Sequence, residues 1–240
     1  MRVRIYGDIR SGNCYKVKLA LELLGRPYEW CFVDILEGES RRPDFLAMNP
    51  NGRIPLLEIE PGIYLPESNA ILWYLTEGSP YVPDEPLARA RTLQWMFFEQ
   101  YSHEPYIATV RYWIHLLGEE QKYRTEIERR RGPGYAALAV MEGELAERDF
   151  FAGTFGIADI ALYAYTHVAH EGGFDLADFL LPCGPESNAS RPFPAMCRWL
   201  EGRRLAAIVG TSFGPNVWCI SAQPRPRDST RRTAGHRTPW

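Results

Sequence analysis

Cysteine is scarce in this chain and irregularly placed. Five occur in 240 residues, Cys14, Cys31, Cys183, Cys197 and Cys219. The number is odd, and no pair has the spacing of a zinc site or a C-x-x-C redox motif. That excludes a disulfide-framed scaffold, sets the metal expectation at none, and fits reduced thiols in the cytoplasm. An excess of one charge sign is lacking too. With 27 Lys and Arg against 30 Asp and Glu, the net charge is −3, so neither nucleic acid nor an acidic membrane is marked out as a partner. No apolar run is long enough to cross a bilayer, and Met1 to Gly7 has no signal-peptide core, so a cytoplasmic protein is expected. The 45% apolar and 24% charged fractions are those of an ordinary globular chain.

What is present is a change of pattern along the chain. Val3 and Ile5 alternate with Arg2 and Arg4 as a strand ending at Gly7. Val17, Ala20, Leu21 and Leu24 then share a helix face that Gly25 and Pro27 close. Tyr28, Trp30 and Phe32 alternate as a second strand, and residues 34–48 suit a loop carrying a short helix. Ile54 to Ile59 and Ile63 to Leu65 read as a hairpin around Glu60-Pro61-Gly62. Ser68 is placed to cap a helix through Ala70, Ile71, Tyr74 and Leu75. The order β-α-β, connecting helix, β-β-α predicts an α/β unit over residues 1–78.

The proline-rich stretch 79–86 cannot continue a helix and is assigned as the linker. Residues 87–210 read as helical. They begin with one long amphipathic helix from Leu87 to Leu117, then a charged segment that Gly132-Pro133-Gly134 is expected to break. Tyr135, Leu138, Met141 and Leu145 share the next helix face, and Ile157 through Val168 form an apolar helix at the centre of this part. Leu181 to Pro194 reads as a loop, Met196 to Leu200 as a short helix, and 211–240 as an irregular basic tail expected to be disordered.

Three stretches carry chemistry. The segment Asp8 to Val17 joins the first strand to the first helix and sets Ser11 and Asn13 at the helix start. Backbone N–H groups are unpaired there and the helix dipole is positive, so an anion, thiolate included, is stabilised. A serine hydroxyl can donate a further hydrogen bond; the alternative is that either residue is only an N-cap. Arg53-Ile54-Pro55 opens the third strand with a proline. A cis Pro55 leaves the Ile54 backbone free to pair with an extended peptide, and a plain edge-strand proline is the alternative. Pro66-Glu67-Ser68-Asn69 opens the third helix, with N–H groups and the Ser68 hydroxyl for a carboxylate and Glu67 for an amino group. That is the chemistry of an amino-acid headgroup, or of a capped helix with an acidic first turn.

The ordered motifs Ser11 to Val17, Asn49 to Pro55 and Pro66 to Ile71, with Gly156-Ile157-Ala158-Asp159 as a fourth, resemble those of the cytosolic glutathione S-transferases over residues 1–210. The resemblance is greatest to the bacterial and theta-like, serine-type branches. It implies a thioredoxin-like α/β N-terminal domain followed by an all-α C-terminal domain, with glutathione as co-substrate. By position, Ser11 would hydrogen-bond the glutathione sulfur, with Asn13 assisting or replacing it. Ile54 would pair with the cysteinyl backbone beside a cis Pro55, and Glu67 and Ser68 would hold the γ-glutamyl group. Arg53 would approach the glycine carboxylate, with Arg41 or Arg42 as weaker candidates. Tyr106 and Trp113 would line the pocket for a small apolar electrophile. A homodimer with the long helix in its interface is also implied. The chain departs from the family pattern at Gly156, where Ser or Thr usually completes a capping box with the residue three further on. Two other readings share these motifs: a glutathione-dependent disulfide reductase or peroxidase, and a non-catalytic binding module. Ser11 and Cys14 have C-x-x-C spacing, but serine holds the first place, and Cys14 is expected to pack inside the helix.

Overall fold

The computed structural model describes residues 2–176; the expectations for residues 177–240 lie outside the described residues. Four strands, β1 (Val3–Gly7), β2 (Tyr28–Phe32), β3 (Leu56–Glu60) and β4 (Ile63–Pro66), form one sheet in the order β2-β1-β3-β4. β1 runs parallel to β2, with Ile5 opposite Trp30, and antiparallel to β3, with Ile5 opposite Leu57. β3 and β4 are the expected hairpin, turning through Pro61 and a positive-φ Gly62. Strand β3 starts at Leu56 rather than Ile54, since Pro55 has no N–H to give to a ladder; the Ile54–Pro55 peptide is cis.

Three helices belong to this sheet: α1 (Gly12–Leu23), α2 (Pro43–Met48) and α3 (Ser68–Thr76). Val17 and Leu21 of α1 join Ile5, Leu57, Ile71 and Leu75 in a core on the sheet. Ala20, expected on that same face, instead joins Tyr15, Leu19 and Leu72 in the larger core of the helical part. Helix α1 is thus buried on two sides, which is why apolar residues occupy more of it than one stripe.

Beyond the proline-rich stretch come α4 (Pro86–Phe98), α5 (Glu104–Arg111), α6 (Arg124–Glu147) and α7 (Ile157–Thr166). The long helix expected over 87–117 is present as a continuous helical run with two π segments, Glu99–His103 and Tyr112–Leu116. Pro105 gives the reason for the first. It has no N–H, and its ring cannot sit against the carbonyl four residues back, so the ladder loosens just before it. The Glu104 N–H accordingly bonds to the Glu99 carbonyl, five residues back.

Gly132-Pro133-Gly134 does not break its helix, contrary to expectation: α6 runs through it. The buried stripe Ile127, Gly134, Leu138, Met141 and Leu145 keeps helical phase across the proline, so tertiary packing overrides the local signal. Gly134 is needed there, because a Cβ would meet the Phe174 ring at 2.5 Å. Helix α7 is buried at all ten positions, as its apolar composition predicts. At its start Asp159 keeps half of a capping box, accepting the Gly156 N–H at 3.0 Å. A side chain at Gly156 would put its Cβ 2.7 Å from the Tyr81 carbonyl oxygen, which also accepts the Ile157 N–H. Glycine is the residue that fits under this crossing.

Gly134→Ala tests the packing account. Helix propensity alone favours alanine by about 1 kcal/mol, whereas overpacking against Phe174 costs about 1–3 kcal/mol. A lowered urea midpoint is expected, and a raised one would show that Phe174 does not constrain α6.

Candidate functional site

The first strand delivers the chain into α1 through Asp8, Ile9 and Arg10. Asp8 is fully buried and accepts from the Arg10 backbone and side chain, while Arg10 also reaches Asp34 at 2.8 Å. From the helical side, Arg111 of α5 donates to the Arg10 carbonyl at 2.7 Å and to Glu171 at 2.6 Å. This loop is fixed from both layers. It presents Ser11 as the N-cap of α1 in extended backbone geometry, with no side-chain capping bond.

Asn13 and Ser68, 55 residues apart in sequence, meet here: the Ser68 hydroxyl donates to Asn13 Oδ1 at 3.1 Å. The N-terminus of α1 and that of α3 therefore converge, adding two positive dipole ends and their free N–H groups. The Asn13 side-chain amide donates to Glu104 at 2.9 Å, and its backbone N–H donates to the Tyr165 hydroxyl at 3.3 Å. Ser68 is the first residue of α3 rather than its cap. The cap is Glu67, an exposed residue at φ +70°. A non-glycine residue in that region carries strain of order 1–3 kcal/mol and is most often found where geometry serves a site. Ile54 lies just before the ladder, half-buried, with Pro55 cis behind it. Arg53 is exposed and its carbonyl accepts from Asn49 at 2.8 Å. Arg41 donates to the Asn51 carbonyl, and Arg42 pairs with Glu39.

Behind these residues lies a buried polar cluster that the sequence expectations did not include. Lys16 of α1 is fully buried, 2.9 Å from Glu99 Oε2 and 3.2 Å from Asn69 Oδ1. Asn69 in turn donates to Glu99 and to the Met96 carbonyl, and Gln100 donates to both Glu99 and Glu104. Burial first, and then the Glu99 charge, raises the Glu104 carboxyl above its usual range. Burial also lowers His103 to about 3, with Lys16 adding to the effect. The Thr166 hydroxyl donates to the Leu162 carbonyl and so accepts from His103 Nε2, 2.9 Å away; the neutral ring then leaves Nδ1 as a bare acceptor. The signals that could have pointed to this cluster are the lysine inside an otherwise apolar helix face and the proline that sets the π segment.

Cys14 is buried beneath this surface, its thiol pushed up to about 12 by burial, so it packs as expected and is a poor nucleophile. Trp113 stacks on Tyr123 at 4.6 Å and lies under the Arg130 guanidinium, and Tyr106 packs beside Gly134. These contacts are with α6 and its approach. Among the described residues there is no cluster of three or more metal-ligating side chains, and no helix is long and apolar enough to cross a membrane.

Comparison with known proteins points to one family. A family described as "Glutathione S-transferase, N-terminal domain" matches residues 10–77. A maleylacetoacetate isomerase of Pseudomonas aeruginosa is 31% identical over 184 residues, covering 72% of this chain and 84% of that protein. The crystal structure of a glutathione S-transferase from Pseudomonas fluorescens is 50% identical, with a TM-score of 0.75 over 84% of this chain and 94% of that one. A glutathione transferase from Phanerochaete chrysosporium, solved with oxidized glutathione, is 28% identical at a TM-score of 0.69, covering 86% and 94%.

The buried histidine gives a pH prediction. Its folded pKa, about 3, lies below its ordinary value of 6.5. Its contribution to stability is therefore complete above pH 6.5 and is lost as pH falls toward 3, by about 1.4 kcal/mol per unit. Urea unfolding of wild type and His103→Gln at pH 7.5, 6.5 and 5.5 should show the variant losing less stability on acidification. Parallel pH dependences would mean that folding does not lower the His103 pKa.

Proposed function

Because the chain belongs to the glutathione S-transferase family, we propose that it binds glutathione along the α1–β3–α3 surface and activates its thiol as thiolate. The thiolate then attacks a small apolar electrophile. The observation that carries this reading is the Ser68–Asn13 hydrogen bond, which joins two helix N-termini from separate motifs into one anion-binding surface. The sulfur lies at Ser11, whose hydroxyl is not used as a cap, with Asn13 beside it. The cysteinyl backbone pairs with Ile54 next to cis Pro55. Ser68 and the α3 N-terminus take the γ-glutamyl carboxylate, and the exposed Glu67 carboxylate takes its amino group. The exposed Arg53 takes the glycine carboxylate, with Arg41 and Arg42 as alternates.

A free thiol titrates near 8.5, so little of it is nucleophilic at neutral pH. Lowering it by roughly two units needs about 2.7 kcal/mol of preference for the anion. A helix N-terminus and one or two hydrogen bonds are of that size. In the attack a sulfur–carbon bond forms, and the electron pair displaced from carbon leaves with the departing group. A disulfide reductase built on Cys14 is disfavoured by the burial of that thiol; redox chemistry at this site would have to use glutathione itself as reductant. The electrophile's pocket belongs to the helical side of the cleft. Trp113 is already stacked within the helical layer, so of the two aromatic candidates Tyr106 is the less committed.

Titration of bound glutathione by thiolate absorbance tests this reading. Wild type should show a thiol pKa roughly two units below that of free glutathione, and Ser11→Ala should move it back by about one unit. Bound glutathione with an unshifted thiol would reject the activation mechanism.

The chain is further proposed to be a homodimer through α4. Leu93, Phe97 and Tyr101 repeat at four-residue spacing, and Phe97 and Tyr101 are 69% and 83% exposed, an apolar stripe that a partner surface would cover. Wild type should sediment at twice the chain mass and Phe97→Asp at the chain mass. A monomeric wild type would leave the stripe without this partner.

A further inference from the structure

Arg111 closes α5, and through it the helical layer reaches the entrance to α1. Its buried guanidinium is divided between two acceptors. Nη1 donates to the Arg10 carbonyl at 2.7 Å, and Nε donates to Glu171 Oε2 at 2.6 Å. Glu171 comes from the short 3-10 turn Ala169–Gly172, and the same carboxylate oxygen lies 3.4 Å from His115 Nε2. The turn sits directly on α5, since a Cβ on Gly172 would be 3.1 Å from the Arg111 backbone nitrogen.

The Arg10 carbonyl belongs to the peptide that leads into Ser11, and the other end of that peptide is also taken. The Ser11 N–H donates to the Asp8 carbonyl at 3.0 Å. In a trans peptide the C=O and N–H point to opposite sides. The plane is therefore held between Asp8, just after β1, and Arg111 in the helical layer. Fixing it fixes the direction in which the Ser11 side chain and the first N–H groups of α1 face. Arg10 spends its own side chain on Asp8 and Asp34.

We propose that Arg111 is a positioning residue for the thiol chemistry: clamped by Glu171, it holds the Arg10–Ser11 peptide so that Ser11 and the α1 N-terminus face the glutathione sulfur. This rests on the thiol-activation reading above. Donors aimed in advance at a forming anion need no reorganisation, and a displacement of about 1 Å can cost a hundredfold in rate. A guanidinium suits the task, because its planar fork engages two acceptors in fixed directions, whereas a lysine ammonium is a point charge on a flexible stem.

Arg111 also carries a positive charge, which by itself favours a thiolate. Glu171 separates the two roles. As an anion it disfavours the thiolate, so on charge alone its loss would lower the thiol pKa. As the anchor of the clamp, its loss should raise it.

The experiment is a titration of the bound glutathione thiol in wild type, Arg111→Lys, Glu171→Met and Glu171→Gln. Affinity for S-methylglutathione, which has no thiol, reports on the rest of the site. The expected result is a thiol pKa raised by roughly one unit, a tenfold loss of thiolate, in both Arg111→Lys and Glu171→Met, with S-methylglutathione affinity unchanged. Glu171→Gln loses the same charge but keeps an acceptor for Nε, and should raise the thiol pKa less than Glu171→Met. A lowered thiol pKa in Glu171→Met, equal values in the two Glu171 variants, or S-methylglutathione affinity lost in step with acidity would overturn the clamp. If wild type acidifies the thiol and Arg111→Lys matches it, only the clamp is wrong. If wild type itself leaves the thiol unshifted, the thiol-activation reading fails and the clamp with it.

Discussion

A buried lysine and a buried glutamate, Lys16 on α1 and Glu99 in the π segment after α4, lie 2.9 Å apart with neither side chain exposed. Removing either partner leaves an uncompensated charge, a loss of about 3–5 kcal/mol. The pair forms where α1, α3 and the long helical run meet, and Asn69 of α3 bonds both ends of it. This contact fixes the register between the sheet layer and the helical layer more sharply than the apolar core can. A core of Leu, Ile and Phe side chains tolerates small shifts and repacking, whereas a buried charge pair does not.

Everything at the candidate site is referred to that register. Glu99 carries Gln100, Gln100 carries Glu104, and Glu104 holds the Asn13 amide that Ser68 holds from the other side. Arg111 grips the Arg10 carbonyl one residue before Ser11, and Tyr165 meets Asn13 just after it. The start of α1 is thus framed by side chains from α3, α5 and α7. A helix N-terminus on a free-standing α/β unit would offer the same N–H groups but would not hold their orientation. Preorganised donors are what make such a site effective toward an anion.

The sheet, its order and the first three helices were legible because each carries a local signal: alternation in β1 and β2, turn residues at Pro61 and Gly62, and apolar phase in α1 and α3. The cis Pro55 was one of two readings of its place before a strand, and the one that the family resemblance implied. Two local signals misled. Gly132-Pro133-Gly134 reads as a break, yet α6 continues, since the stripe from Ile127 to Leu145 is buried on both sides of it. Ser68 reads as a cap, yet Glu67 takes that place at positive φ, and the serine hydroxyl is drawn to Asn13 instead. In both cases long-range contacts outweighed the local preference, about 1 kcal/mol for a glycine or a cap and about 3 kcal/mol for the proline.

By itself the sequence determined which residue types stand at the two helix starts and at the proline bend, and with them the family. Motif order, apolar periodicity and turn chemistry are local properties, and local properties can be read in one dimension. Only the tertiary structure decided which groups face them. Lys16 looks like an ordinary surface charge until Glu99 is set against it, and Tyr165 looks like core until Gly12 lets its hydroxyl through. Partners 83 and 152 residues apart leave no spacing to read. Their meeting depends on how two layers pack, and that is settled by the whole fold at once.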